Sequence, residues 1–474
     1  MTGSTTPIYQ PKRAFDLLRL PGLGRLLRWR WGRLAFQLPL ALVAVLLIYD
    51  GFTGPKLAPQ NLATVAAWVH YRGLIVLALL LAGNLFCMSC PFTLPRTLAR
   101  RLSSHGRRWP MALRNKWLAI ALFVGLLFVY EALDLWASPW LTAWLIVAYF
   151  AAAFVFEALF AESPFCKYLC PLGTFNFVSS TISPLQITSR DAGVCRTCIG
   201  KECVNGSAQV LGCGTELFVP QMRSNLDCVL CLDCVRACPH DNVALAARKP
   251  LIELSGDAWA RRWDVALLAL VFAFAALGNA FGMVPPIYAL ETALAGWLGA
   301  KSEALVLALI FGVVYVALPV LAGIGAAWLS RRLTGGGSLR VVLARYAPAV
   351  VPLGFAIWFA HYWFHFATGA LTIIPVFQSF LIDHGVVLLG SEPNWRLAAI
   401  LPNDWLFLLQ VAGVAIGFLA SLVALRRSAE SVHGDNDRLI RLAAAPWLAL
   451  LIVFAVTAIW LFSLPMEMRG MIAG

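Results

Sequence analysis

The sequence predicts an α-helical polytopic membrane protein of about nine transmembrane helices with a small α+β segment outside the lipid. Three observations predict it. Of 474 residues, 60% are hydrophobic and 13% charged, with a mean hydropathy of +0.76; soluble domains carry about 25% charged residues. Apolar runs near the roughly 20 residues that cross a hydrocarbon core recur at 34–50, 62–86, 117–136, 141–161, 263–284, 303–329, 347–368, 403–425 and 445–465. Finally, eight of the 12 cysteines crowd between Cys195 and Cys238, after the fourth run.

The elements follow in chain order. Residues 1–33 are polar, then basic and amphipathic ("AFDLLRLPGLGRLLRWRWGRL"), with no apolar core for a signal peptide. They read as a cytoplasmic, interfacial segment. Residues 34–184 form a four-helix membrane domain, 185–262 a cysteine-rich segment and 263–474 a five-helix membrane domain. The apolar stretch 371–390 is broken by Asp383 and His384, which suits a re-entrant or interfacial piece. The 18 Trp and 29 Phe fit interfacial belts and lipid-facing surfaces.

Loop charges set an orientation. Residues 91–116 hold Arg96, Arg100, Arg101, Arg107, Arg108, Arg114 and Lys116 and no acid, and the loops at 330–345 and 426–441 are also arginine-rich. The loops at 137–140, 285–302 and 369–402 carry only Lys301 and Arg396. The positive-inside rule then places the N-terminus and the 185–262 segment in the cytoplasm and the C-terminus outside. The net charge of +13 therefore points to lipid contact and orientation, not nucleic acid.

Within "DCVLCLDCVRACPHD" (227–241), Cys228-x2-Cys231-x2-Cys234-x3-Cys238-Pro239 matches the bacterial iron–sulfur run. Short gaps let three thiolates wrap one cluster, while the fourth reaches a second one. A zinc site, which favours two separated pairs, and unligated thiols are the alternatives. The upstream cysteines are spaced Cys195-x2-Cys198-x4-Cys203-x9-Cys213. The two-cluster pattern assigns Cys195, Cys198, Cys203 and Cys238 to one [4Fe–4S] cluster, and Cys228, Cys231, Cys234 and Cys213 to the other. Residues 185–262 are thus expected to be a ferredoxin-like di-cluster segment. Arg196, Lys201 and Arg223 read as solvated surface, with an acidic partner protein as the alternative.

The second and fourth runs end alike, in "NLFCMSCPFTLP" and "SPFCKYLCPLGT", so 34–96 and 117–176 form a weak internal repeat. Cys87, Cys90, Cys166 and Cys170 are each part of a pair followed by proline, which ends a helix and frees nearby amides. They are candidates for a third cluster, another soft metal such as copper, or a redox-active dithiol; simple packing is the plain alternative.

These motifs resemble the NapH/NosR-type membrane polyferredoxins over about residues 34–262. "CKYLCP" (166–171) matches that family's Cys-x3-Cys-Pro motif, and "CMSCP" (87–91) is one residue shorter. The resemblance implies a bacterial cytoplasmic-membrane protein linking the quinone pool to respiratory partner subunits, with a cytochrome among the candidate partners and a quinol-dependent oxidoreductase subunit as the candidate role. Some members serve copper-enzyme maturation, so a copper reductase is one rival reading; a redox sensor or membrane anchor is another.

Ionisable groups inside spans are functional candidates because burying them is costly. His70, His361 and His365 are candidates for haem b or quinone, weighed against ordinary interfacial histidines. An outer haem lacks a second histidine pair to relay electrons inward. Glu131 and Asp134, three residues apart, and Glu157, near the Cys166 pair, are candidates for proton transfer.

Overall fold

In the computed structural model, residues 15–95, 99, 106–254, 259 and 262–466 are described; Arg96, Arg100, Arg101 and residues 1–14 lie outside them. Eight helices or helical runs among the described residues are long and apolar enough to cross a membrane: Gly32–Thr53, Leu62–Ala82, Pro139–Leu159, Trp263–Phe281, Glu303–Thr334, Leu339–Asp383, Asp404–His433 and Asp437–Ser463. The chain thus has the helices of a multi-pass membrane protein. The third expected span is a shorter apolar helix, Trp117–Ala132; it stops because Asp134 turns into the left-handed region at φ 44°. The expected re-entrant stretch begins as the helix Ile373–Asp383, which ends the Leu339–Asp383 run.

Packing divides the chain into two units, each assembled from separate stretches. The first holds Met1–Val43, Ala78–Ala119 and Tyr149–Glu253; the second holds Ala44–Leu77, Ile120–Ala148 and Leu254–Gly474. Apart from isolated bridges, sheet among the described residues is confined to the first unit, where β1 (Leu185–Ser189) pairs antiparallel with β2 (Val243–Ala247). The N-terminal basic segment docks on this pair. Ala247 N–H donates to Phe15 C=O at 2.8 Å, and Asp16 accepts from Leu245 N–H at 3.2 Å and Arg190 Nη2 at 2.9 Å. Leu18 and Leu27 enter the same apolar core as Ile187, Leu230, Leu232 and Leu245, while Trp29 and Trp31 stay half exposed.

A buried ion pair closes this unit. Arg248 donates to Glu253 Oε2 at 2.6 Å and to the carbonyls of Ser180, Thr181 and Ser183 at 2.6–3.1 Å. It thereby satisfies acceptors at the end of the helix Pro171–Ser180. Glu253 also accepts Asn225 N–H at 2.9 Å, joining the strand pair to the segment before Cys228.

In the second unit, the share of buried residues separates the helices. Over an apolar 18-residue stretch of each, Trp263–Phe281 and Leu339–Asp383 are 78% and 83% buried, whereas Glu303–Thr334, Asp404–His433 and Asp437–Ser463 are 33% or less. The first pair is therefore central, and the others present apolar faces outward as lipid-facing helices do. Trp358, fully buried, donates from Nε1 to Phe272 C=O at 3.0 Å. Small residues allow close helix contact: a Cβ on Gly354 would lie 2.9 Å from Ala273, and one on Gly417 would lie 2.3 Å from Ala356 Cβ. Gly417→Val is expected to force the helices apart and destabilise the protein by about 1–3 kcal/mol. The check is chemical denaturation in detergent, where unchanged stability would contradict this contact.

Candidate functional site

All twelve cysteines are free thiols and lie in the first unit. The fold brings them together as three groups of four.

The inner group is Cys87, Cys90, Cys166 and Cys170, which line one cavity of about 40 Å³ with Arg33, Thr93 and Glu157. Local backbone builds it. Leu85–Ser89 is a short helix that stops at Cys90 because Pro91 follows. Phe165–Leu169 is one π-helical turn, closed by Cys170 N–H to Phe165 C=O at 2.7 Å. Pro171 then starts the next helix at its first position, where a missing N–H costs nothing. Gly173 N–H donates to Cys170 Sγ at 3.1 Å, and Asn176 Nδ2 to Cys87 Sγ at 3.3 Å. Burial pushes the Cys87 thiol up to about 11 and Cys170 to about 12. Cys166 is raised by burial first, then by Glu157 and the other three cysteines, so the four sulfurs feel one another directly.

The middle group is Cys213, Cys228, Cys231 and Cys234, around a second cavity of about 20 Å³. Leu230 and Leu232 flank Cys231 in the left-handed region, at φ 52° and 60°. That conformation costs a non-glycine residue about 1–2 kcal/mol. Both leucines are buried, at 6% and 2% exposure, and burying each contributes about 1.5–3 kcal/mol, which offsets the strain. The reward is amide placement: Leu230 and Asp233 N–H face the Cys228 and Cys231 sulfurs, as successive amides do in anion-binding nests. Burial raises these two thiols all the same, Cys231 to about 12.

The outer group is Cys195, Cys198, Cys203 and Cys238. Asn242 ties its ends together, donating from Nδ2 to Cys195 Sγ at 3.1 Å and from N–H to Cys238 Sγ at 3.4 Å. Burial lifts Cys203 to about 11, with Cys195, Cys238 and Cys198 adding to it. Ile199, beside Cys198, is 97% exposed, so this group meets solvent.

The groups stand in a row. Thr215 and Val229 wall both the inner and the middle cavity, and Cys213 N–H donates to Cys203 C=O at 3.2 Å between middle and outer. Among the described residues, no group of three or more His, Cys, Asp or Glu is arranged to hold a single metal ion.

Two cations, Lys116 from the orientation charges and Arg33 from the interfacial N-terminal segment, are part of this site. Buried Lys116 pairs with Asp227, donates to Lys167 C=O at 2.7 Å and stands 5.5 Å from the Tyr168 and Phe177 ring centres. Arg33 pairs with Asp233 at 3.2 Å. Each aspartate immediately precedes a cysteine, Cys228 or Cys234. That repeated Asp-Cys step was the signal available, but its partners lie over a hundred residues upstream.

The other candidates disperse. Glu157 does line the inner cavity. In the second unit, both ring nitrogens of His70 meet carbonyls, Val65 at 3.1 Å and Ala370 at 2.9 Å, so this ring links backbone segments. His361 and His365 are buried with ring centres 4.8 Å apart. Glu131 lines a cavity of about 30 Å³ with Glu291 and Tyr315, while Asp134 sits exposed in the turn after its helix. Arg196 and Lys201 are exposed.

No family model and no solved structure matches the chain. It is 32% identical over 131 residues to the Escherichia coli (strain K12) protein YccM, provisionally named an electron transport protein. The match covers 26% of this chain and 32% of that protein, so the chain spans about a third of the relative's length.

Removing one partner of a buried pair leaves the other charge uncompensated. Lys116→Met is expected to cost about 3–5 kcal/mol, read by denaturation, because Asp227 stays buried beside Cys228. A loss under 1 kcal/mol would mean that water already shields the pair.

Proposed function

We propose that this chain is a membrane-integral electron-transfer protein whose three cysteine groups each hold an iron–sulfur cluster. The observation that carries the reading is the row of three four-thiol groups, adjacent groups sharing walls or a backbone hydrogen bond. The donor sets fit. Each group offers four thiols, the number that holds a [4Fe–4S] cluster. A cluster binds each thiolate through a different iron, so its ligands need not converge on one point as the donors of a single ion do. N–H donors face sulfurs in all three groups, and such bonds stabilise the negative charge of an occupied site. When bound, the clusters supply one-electron oxidation and reduction.

The chain's own residues do the rest. Proline-ended helices and left-handed leucines hold the thiols; the half-buried outer group, beside exposed Ile199, meets a soluble or peripheral partner. The similarity to YccM, named for electron transport, supports the same class. In this reading the cysteine groups lie toward the cytoplasm of a bacterial inner membrane, where reduced thiols remain available for metal, and the arginine-rich loops share that side. The quinone pool is the proposed electron source or sink in the membrane, and a respiratory subunit the proposed partner.

Anaerobically purified protein is expected to contain roughly 12 irons, four per cluster, with three paramagnetic signals after reduction. Cys87→Ser together with Cys166→Ser should remove about four irons and one signal. Eight irons untouched by that double variant would limit the clusters to two, and copper in place of iron at the inner group would replace this reading with a metal-handling one. Quinol that reduces none of the signals would remove the quinone link alone.

A further inference from the structure

Arg33 stands where the inner and middle groups meet. It lines the inner cavity with all four inner cysteines. Its Nε donates to Met88 C=O at 3.3 Å, between Cys87 and Cys90, and its Nη2 to Thr93 Oγ1 at 3.0 Å. Nη1 pairs with Asp233, between Cys231 and Cys234. One guanidinium therefore touches both cysteine loops.

The carboxylate opposite it is shared. The other oxygen of Asp233 is taken by Arg236 at 2.7 Å, so two guanidinium groups share one carboxylate. Arg236 also donates to Cys231 C=O at 2.6 Å. Glu157 is the acidic group lining the inner cavity. Side-chain exposure of Arg33 is 15% and of Asp233 12%, and a charge so far out of water acts on its neighbours with little screening. Gln37 reinforces the placement, donating to Cys90 C=O at 2.9 Å and Thr93 Oγ1 at 2.8 Å.

We propose that Arg33 raises the reduction potentials of the inner and middle groups together, relative to that of the outer group. The inference rests on the electron-transfer reading above. Adding one electron to either group makes it more negative by one charge, with no bond made or broken in the protein, and Arg33 keeps its proton throughout. A fixed positive charge beside both groups favours that reduced state in each, whereas the solvent-facing outer group is not among its contacts.

The test is a dithionite titration of the purified holoprotein, following the paramagnetic signal of each group, assigned by single Cys→Ser variants. In Arg33→Gln, the inner and middle groups should lose about tenfold or more in their equilibrium constants for reduction, about 59 mV for one electron. The outer group should not move. Arg33→Lys keeps the charge without the fork and should retain nearly the wild-type potentials. If Arg33→Gln does not assemble, Arg33→Lys carries the test, and lowered potentials in a fully iron-loaded Lys variant would overturn the proposal. Unmoved potentials in a loaded Arg33→Gln protein would overturn it too, leaving Arg33 as a structural latch. Wild-type protein without any iron–sulfur signal would remove the electron-transfer reading itself, and this inference with it.

Discussion

Two buried ion pairs, Lys116–Asp227 and Arg33–Asp233, organise the first unit. Each ties the loop that carries Cys228, Cys231 and Cys234 to a basic residue beside an apolar helix. Without them the loop would rest on its leucines and on single hydrogen bonds from Asn84 and Arg236 to its carbonyls, and those leucines sit in a conformation that opposes their side chains. With them, strain, apolar burial and charge pairing agree on one loop geometry. The cost of removing these ions from water is offset where partners are hydrogen-bonded or paired again: Asp233 by Arg236, Arg33 by the Met88 carbonyl and Lys116 by the Lys167 carbonyl.

That constraint propagates along the row of thiols. Once the loop is placed, Val229 and Thr215 become common walls, and the inner and middle cavities are neighbours by construction. The inner group depends on a different device. Its helices end at prolines, so the backbone turns away from the helix axis where the thiols must face inward. A π-helical turn on one side and a five-residue helix on the other perform the same task with different spacing. The one-residue difference between "CMSCP" and "CKYLCP" is thereby absorbed in the backbone, since all four sulfurs still line one cavity.

Much of this was legible beforehand. Hydropathy located the helices, because crossing a hydrocarbon core demands about 20 apolar residues whatever the fold. The third span came out shorter because the left-handed turn at Asp134 ends it, a backbone choice that hydropathy does not register. The two-cluster pattern suggested which cysteines belong together as ligands; in the structure Cys213 shares a cavity with Cys228, Cys231 and Cys234. Histidines were harder to read. His70 is engaged at both nitrogens by carbonyls, one of them on Ala370, 300 residues away, a contact that no local pattern announces.

By itself, the sequence determined the membrane character, the positions of the helices and the clustering of thiols, since each depends on composition or on spacing within a few residues. Only the tertiary structure decided that Arg33 and Lys116 belong to the cysteine site, not to a solvated basic face. A charge near an apolar run looks the same in sequence whether it meets water, lipid headgroups or a buried aspartate. Its partner is chosen by packing between segments some 111 or 200 residues apart, and Leu18, Leu27, Leu230 and Leu232 share one buried core in that packing.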